Sequence, residues 1–261
     1  MPAIDVSYTV TGSGPAVYFA HGIGSRKTGW DATIAHLADR YTCIAYDQRG
    51  HGESPVPPVP YSLDELVDDL EALRRKLGHE RIHVVGHSLG GQIGPAYARA
   101  FPEHTLSVSL LSTAAFRTDD DSAKVKGVVA AIRRDGAANI LPTLVDRWFT
   151  ESFFGANPDV VQARLKQVLD TPEDVFTSVF DIYASTEMAA WLHQVDVPCL
   201  VLTGENDGGC NPRLNRLIDD ALPDSELVIL PEFRHSILIE APELVASHVG
   251  DFLDRCSSRA S

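Results

Sequence analysis

The sequence predicts an α/β fold, a mostly parallel sheet covered by helices on both faces. Three observations carry this. Short apolar, β-branched runs alternate with amphipathic stretches through the first half of the chain. Those runs are apolar throughout rather than every second residue, as in strands buried on both faces. The alternation then resumes near the C-terminus, after a long stretch with no strand signal. With 44% hydrophobic residues in a chain of 261, a sizeable core is within reach, and disorder is excluded.

Taken in order, Ile4 to Thr11 alternates like an antiparallel edge hairpin and runs into Gly12-Ser13-Gly14-Pro15. Strands are expected at Ala16 to Ala20, Thr42 to Tyr46, Ile82 to Val85 and Ser107 to Leu111. Helices are expected at Trp30 to Ala38, at Leu63 to Leu77 before Gly78, and at Leu89 to Phe101 before Pro102. The prolines from Pro55 to Pro60 form a stiff loop. From Phe116 to about His193 the chain reads as consecutive helices. Asp119-Asp120-Asp121 is read there as a solvated loop, and a helix from near Ser122 ends at Gly136. Asn157-Pro158 and Thr171-Pro172 read as helix starts. Strands Cys199 to Thr203 and Leu227 to Leu230 and a helix from Pro242 to about Arg255 complete the pattern. Residues 1–115 and 194–261 therefore form one core, with 116–193 as a helical block inserted between two of its strands.

Composition limits the partners. Lys and Arg number 22 against 36 Asp and Glu, so 22 − 36 gives −14, and a polyanionic partner such as nucleic acid or an anionic membrane is disfavoured. No apolar run reaches the roughly 18 residues of a membrane-spanning helix, and Met1-Pro2-Ala3-Ile4-Asp5 shows no basic segment leading into an apolar one, so no signal peptide is visible and a soluble, cytoplasmic protein is expected. Cys43, Cys199, Cys210 and Cys256 show no paired spacing and read as reduced structural thiols.

Gly86-His87-Ser88-Leu89-Gly90 matches G-x-S-x-G between a predicted strand and a predicted helix. Small residues at both flanks permit the sharp turn that raises a nucleophilic serine above the sheet edge. A serine nucleophile needs a base and an orienting acid, which follow it in that architecture in the order acid, then His. Asp207 follows the strand Cys199 to Thr203, with Glu205 as reserve acid, and His235 follows Leu227 to Leu230. An oxyanion needs backbone donors. Leu89, opening the helix after the nucleophile, offers one; Ile23, in His21-Gly22-Ile23-Gly24 after the strand Ala16 to Ala20, offers the other, with Gly24 its neighbouring alternative and His21 a brace for the loop.

Three other motifs fail on context. His79-Glu80-Arg81-Ile82-His83 matches H-E-x-x-H, but a helix ends and a strand begins inside it, so the histidines share no helical face. Gly22-x-Gly24 lacks the third glycine of a dinucleotide fingerprint, since Lys27 stands there, and no Gly-Lys-Ser/Thr run exists. No metal or cofactor is expected.

His21 to Gly24, Asp47-Gln48-Arg49-Gly50-His51-Gly52-Glu53-Ser54, Gly86 to Gly91, Gly204 to Asp207, and His235 with Glu240-Ala241-Pro242 together resemble the α/β-hydrolase superfamily over nearly the whole chain. Within it, the chain most resembles 3-oxoadipate enol-lactonases and related small carboxylesterases, a likeness to which Arg147-Trp148-Phe149-Thr150 adds. The resemblance implies an eight-stranded type of sheet, a helical cap formed by the inserted block 116–193, and a serine esterase or lactonase acting on a small-molecule ester or lactone, with Ser88, Asp207 and His235 as triad. Arg234 departs from the family's usual glycine, and Gly208-Gly209-Cys210 after the acid is a second departure. Trp30, Arg147 and Trp148 are candidate substrate contacts, Arg147 ahead of Arg133, Arg134 and Arg164 as a cation for a substrate carboxylate. A hydrolase of C–C bonds in ring-cleavage products, a cofactor-free oxygenase and a slow-turnover ligand receptor are alternatives on the same fold.

Overall fold

The computed structural model describes residues 1–260. Seven strands form one sheet in the order β1-β3-β2-β4-β5-β6-β7: β1 (Tyr8–Thr11), β2 (Ala16–Ala20), β3 (Thr42–Tyr46), β4 (Ile82–His87), β5 (Thr105–Leu111), β6 (Cys199–Gly204) and β7 (Ser225–Leu230). All pairings are parallel except β1 with β3. The sheet is thus one strand short of the eight-stranded type expected. The expected N-terminal hairpin is also corrected, since β1 pairs with β3 rather than with its sequence neighbour β2. The alternating run contributes only its second half to the sheet. Upstream, the Ile4 and Ser7 amides donate to the side chains of Asp69 and Ser54 instead of to a strand (both 2.8 Å).

Burial on both faces explains the uninterrupted apolar runs. Tyr18, Ala20, Ile44 and Val84 meet Leu66, Leu70 and Leu73 of the helix Leu63–Leu77 and Ile93 and Tyr97 of the helix Gly90–Ala100. Val17, Phe19, Cys43 and Val85 point the other way, into Trp30, Ile34, Leu37 and the helix Pro242–Ala260. The strand period of two divides one sequence between two cores. The four cysteines are buried, and none is in a disulfide among the described residues. No helix of the described residues is long and apolar enough to cross a membrane.

Local chemistry sets the helix ends. Ser62 and Glu65 form a capping box at the start of Leu63–Leu77, and Gly78 ends it in the left-handed region at φ 71°. Between β5 and β6 the chain is helical, with the longer helices at Asp119–Asp135, Pro158–Leu169 and Glu173–Ser185. Here Asp119-Asp120-Asp121 is the first turn of a helix capped by Thr118, not a loop. Three carboxylates at a helix N-terminus are stabilised by the helix dipole, so the charge run signals a start. The predicted helix Trp30 to Ala38 is shorter, a 3₁₀ turn Lys27–Trp30 followed by Asp31–Ile34.

Candidate active site

The site begins with a steric constraint at the end of β4. A Cβ on Gly86 would sit 1.9 Å from the Gly90 carbonyl oxygen, and one on Gly90 would sit 2.0 Å from that of Ala20. Only glycine lets strand and helix pass so closely. Between them Ser88 is held at φ 57°, a left-handed conformation costly for a side-chain-bearing residue. Its amide donates to Leu111 O (2.9 Å), and its carbonyl accepts from the Thr113 hydroxyl (2.9 Å), so the strained turn is fixed by β5 and the segment after it.

Asp207 and His235 come from the loops after β6 and β7. The Asp207 carboxylate is buried and accepts from Gly209 N (3.0 Å) and Cys210 N (2.8 Å) at Oδ1, and from His235 Nδ1 (2.7 Å) at Oδ2. Burial alone would push its pKa up, but the His235 imidazole and the two amides outweigh this and hold it below the ordinary carboxylate value. For His235 burial pulls downward, yet the Asp207 charge and hydrogen bond hold it well above the ordinary imidazole value. Ser88, Asp207 and His235 border one cavity of about 360 Å³. No hydrogen bond among the described residues joins the Ser88 hydroxyl to His235. Glu205, the reserve acid, is exposed, and its carboxylate accepts from the Glu232 amide (3.1 Å).

The turn after β2 can be followed peptide by peptide. Gly22 O accepts from His21 Nδ1 (2.7 Å) and Ser25 N (3.1 Å). Gly24 N donates to His51 Nε2 (3.2 Å), and Ile23 O and Gly24 O accept from the Arg164 guanidinium (3.3 and 2.6 Å). The amide of Ile23 is left over, on a loop whose Gly22 lies against Ser88, and Gly24 is excluded because its amide is engaged. His21 braces the turn and also accepts from Gln48 N (3.0 Å). Both imidazoles must be neutral to accept through Nε2, and burial pulls His21 down to about 3 and His51 to about 4. Leu89 N stands where the helix Gly90–Ala100 begins, beside Ser88.

Arg147 and Trp148 border the cavity, as do Arg117, Lys124 and Arg164. Among the described residues none of these four cations forms an ion pair, while Asp121 on the same wall is taken by Arg213. Arg117 donates through Nη1 to Thr186 O (3.2 Å), lies over the Tyr183 ring (4.4 Å to its centroid) and leaves Nε and Nη2 buried without hydrogen-bond partners. Trp30 is a correction: it is fully buried against Phe19 in the core and does not border the cavity. Its large apolar ring is the anchor of the short Lys27–Trp30 turn. Arg234, the departure before His235, donates to Phe149 O (2.8 Å), tying the His235 loop to the inserted helices.

Three neighbours escaped the sequence reading. His87 donates through Nε2 to the His235 carbonyl (3.0 Å), His51 accepts from Gly24, and Cys210 Sγ lies 3.0 Å from the Tyr183 hydroxyl. Each lay in a stretch the sequence had marked, His87 in the Gly86 to Gly90 turn, His51 in Asp47 to Ser54 and Cys210 in Gly208-Gly209-Cys210, but nothing there gave these side chains a partner. Asp207, Cys210 and His235 are also the one group of three metal-ligand types set within 4.8 Å among the described residues, but two of them are hydrogen-bonded to each other. His79 and His83 of the H-E-x-x-H match contact Tyr18 and Ser107 separately (2.7 Å each).

Comparison with known proteins places this geometry. The family model for the alpha/beta hydrolase fold matches residues 15–242. The chain is 28% identical to 3-oxoadipate enol-lactonase 2 of Acinetobacter baylyi over 229 residues, 88% of this chain and 85% of that one. Among solved structures it resembles the enol-lactonase of Burkholderia xenovorans, with a TM-score of 0.89, 24% identity, and coverage of 96% and 97% of the two chains. It also resembles a thermophilic esterase from Thermogutta terrifontis solved with malate bound, with a TM-score of 0.88, 27% identity, and coverage of 97% and 94%. A match over most of the chain, on a parallel sheet with a glycine-flanked serine at its edge, leaves one assignment: the chain belongs to the α/β hydrolase fold family.

Proposed function

We propose that the chain is a serine hydrolase that cleaves an ester or lactone of a small organic acid through an acyl-enzyme. The observation that carries this is the His235–Asp207 pair bordering the same cavity as a serine held at positive φ. In this reading Ser88 Oγ attacks the carbonyl carbon while His235 Nε2 takes its proton. The carbonyl electrons move to oxygen, which the amides of Ile23 and Leu89 receive. Collapse expels the alcohol oxygen, protonated by His235. In a lactone that oxygen stays tethered to the acyl group. Water, deprotonated by His235, then attacks the acyl-enzyme and frees Ser88. Asp207 holds the imidazole in the Nδ1–H tautomer and stabilises the imidazolium.

The inserted helices of residues 116–193 act as a cap over the core formed by 1–115 and 194–261, and Arg147 and Trp148 contribute to substrate binding. Arg117, Lys124 and Arg147, none of which forms an ion pair among the described residues, suit a substrate that carries its own carboxylate. The named activities of the enol-lactonase and esterase relatives lie in this reaction class. The test is turnover of p-nitrophenyl acetate and a carboxylated lactone by wild type and Ser88→Ala. Loss of both activities in the variant is expected. Retained turnover of the natural substrate class in Ser88→Ala would contradict a serine mechanism and favour His235 acting on substrate directly.

A further inference from the structure

We propose that Arg164 is a positioning residue for oxyanion stabilisation, a clamp through which the inserted helices hold the Gly22–Ser25 turn in its donating conformation. The inference rests on the serine-hydrolase reading and adds to it a residue that touches neither the nucleophile nor its base.

The geometry gives the clamp its direction. Arg164 lies on the helix Pro158–Leu169, 140 residues from the turn it contacts. It donates to two successive carbonyls, Gly24 O at 2.6 Å and Ile23 O at 3.3 Å, and its other contact is Gln167 Oε1 at 2.9 Å, one turn along its own helix. The Ile23–Gly24 peptide is thereby gripped at both ends, Arg164 on its oxygen and His51 on its N–H. The Ile23 N–H lies in the preceding peptide, whose Gly22 O is held by His21 and Ser25, so Arg164 acts on it by fixing the peptide on the far side of the Ile23 Cα. Among the described residues, Arg164 is the one side chain of the inserted segment that hydrogen-bonds to the Gly22–Ser25 turn.

A second feature separates this arginine from an ordinary structural one. Arg49 and Arg74, which are buried where Arg164 is half-buried, each place Nε and Nη2 on a carboxylate, Asp69 and Glu71 (2.7–2.8 Å). Arg164 has no carboxylate partner among the described residues, and burial with the nearby Arg26 charge lowers its pKa to about 10. An uncompensated cation behind the oxyanion turn costs stability in the resting state and becomes favourable once negative charge develops on the substrate oxygen. Packing fixes the same relation, since Val168 and Phe176, also from the inserted helices, crowd the Gly24 Cα so closely that a Cβ there would lie 2.8 Å from Val168 Cγ1. The inserted helices and the oxyanion turn are therefore held as one unit, by Arg164 through hydrogen bonds and by Val168 and Phe176 through packing.

The experiment uses Arg164→Lys, Arg164→Gln and Gln167→Ala with a neutral ester, so that carboxylate recognition does not enter. Loss of the clamp is expected to lower kcat by about 10- to 100-fold in Arg164→Gln, somewhat below the effect of deleting an oxyanion donor outright, with KM within about threefold. Arg164→Lys is expected to fall between, keeping the charge but losing the two-carbonyl fork. The rate of fluorophosphonate labelling of Ser88 should drop in parallel. A rise in KM with kcat retained would overturn the proposal and make Arg164 a substrate contact. Should Arg164→Gln fail to fold, Gln167→Ala, which loosens Arg164 without removing it, decides: an unchanged kcat overturns the clamp. Ser88→Ala run in parallel separates the two readings. If it keeps its turnover the serine mechanism itself has failed, whereas a dead Ser88→Ala beside a fully active Arg164→Gln removes only the clamp.

Discussion

Whether Ser88 is a nucleophile turns on the protonation of one imidazole. His235 accepts a proton only when neutral, and Asp207 holds its pKa well above the ordinary value of 6.5. At pH below that raised pKa the imidazolium dominates and the base is lost, so kcat/KM rises with pH along its acid limb. The expected midpoint of that limb lies above 6.5. Asp207→Asn removes the charge that holds the proton, so the midpoint should shift downward, while kcat falls by roughly 10⁴ because the tautomer is no longer fixed. Glu205→Gln should leave both nearly untouched, since its carboxylate is turned to the Glu232 amide and not to His235. A pH–rate profile of the three proteins checks all of this, and a larger loss in Glu205→Gln would move the acid.

Among the elements, the β4 elbow is the most constrained. Gly86→Ala would drive a methyl group into the Gly90 carbonyl 1.9 Å away, a backbone atom that cannot swing aside. Overpacking of this kind should lower the unfolding free energy by about 3 kcal/mol, visible as a shifted denaturant midpoint at unchanged slope. A variant as stable as wild type would show that strand and helix can separate without cost. The elbow was legible in the sequence because chain neighbours alone define it, and so was the helix Leu63–Leu77, with its capping box and Gly78. What depended on distant partners was not. The N-terminal run shows strand alternation, but the amides of Ile4 and Ser7 went to Asp69 and Ser54, and β1 found β3 across the sheet. Trp30 looked like a pocket aromatic, yet no local pattern distinguishes a ring that faces a cavity from one that anchors a core. Arg164 was indistinguishable from other helix arginines because its partners, the Ile23 and Gly24 carbonyls, lie 140 residues away.

Over the whole molecule, charge is unevenly placed. A net −14 repels anions at long range, yet Arg117, Lys124 and Arg147 line one cavity without an ion pair among the described residues. In a chain with 36 carboxylates, so many unpaired cations in one place suit an anionic substrate. Arg147 is exposed at the cavity wall, so Arg147→Ala should raise KM for a carboxylated lactone by about tenfold, the effect of losing a charged hydrogen bond, while a neutral ester of similar size is nearly unaffected. Steady-state kinetics on the matched pair tests this, and equal effects on both substrates would remove Arg147 from carboxylate recognition.

The central claim is that Ser88 carries the acyl group. Intact-mass analysis after treatment with a fluorophosphonate probe tests it most directly. One adduct per chain, mapped to Ser88 and absent from a folded Ser88→Ala variant, is the result the mechanism predicts; labelling of that variant to the same extent as wild type would contradict it.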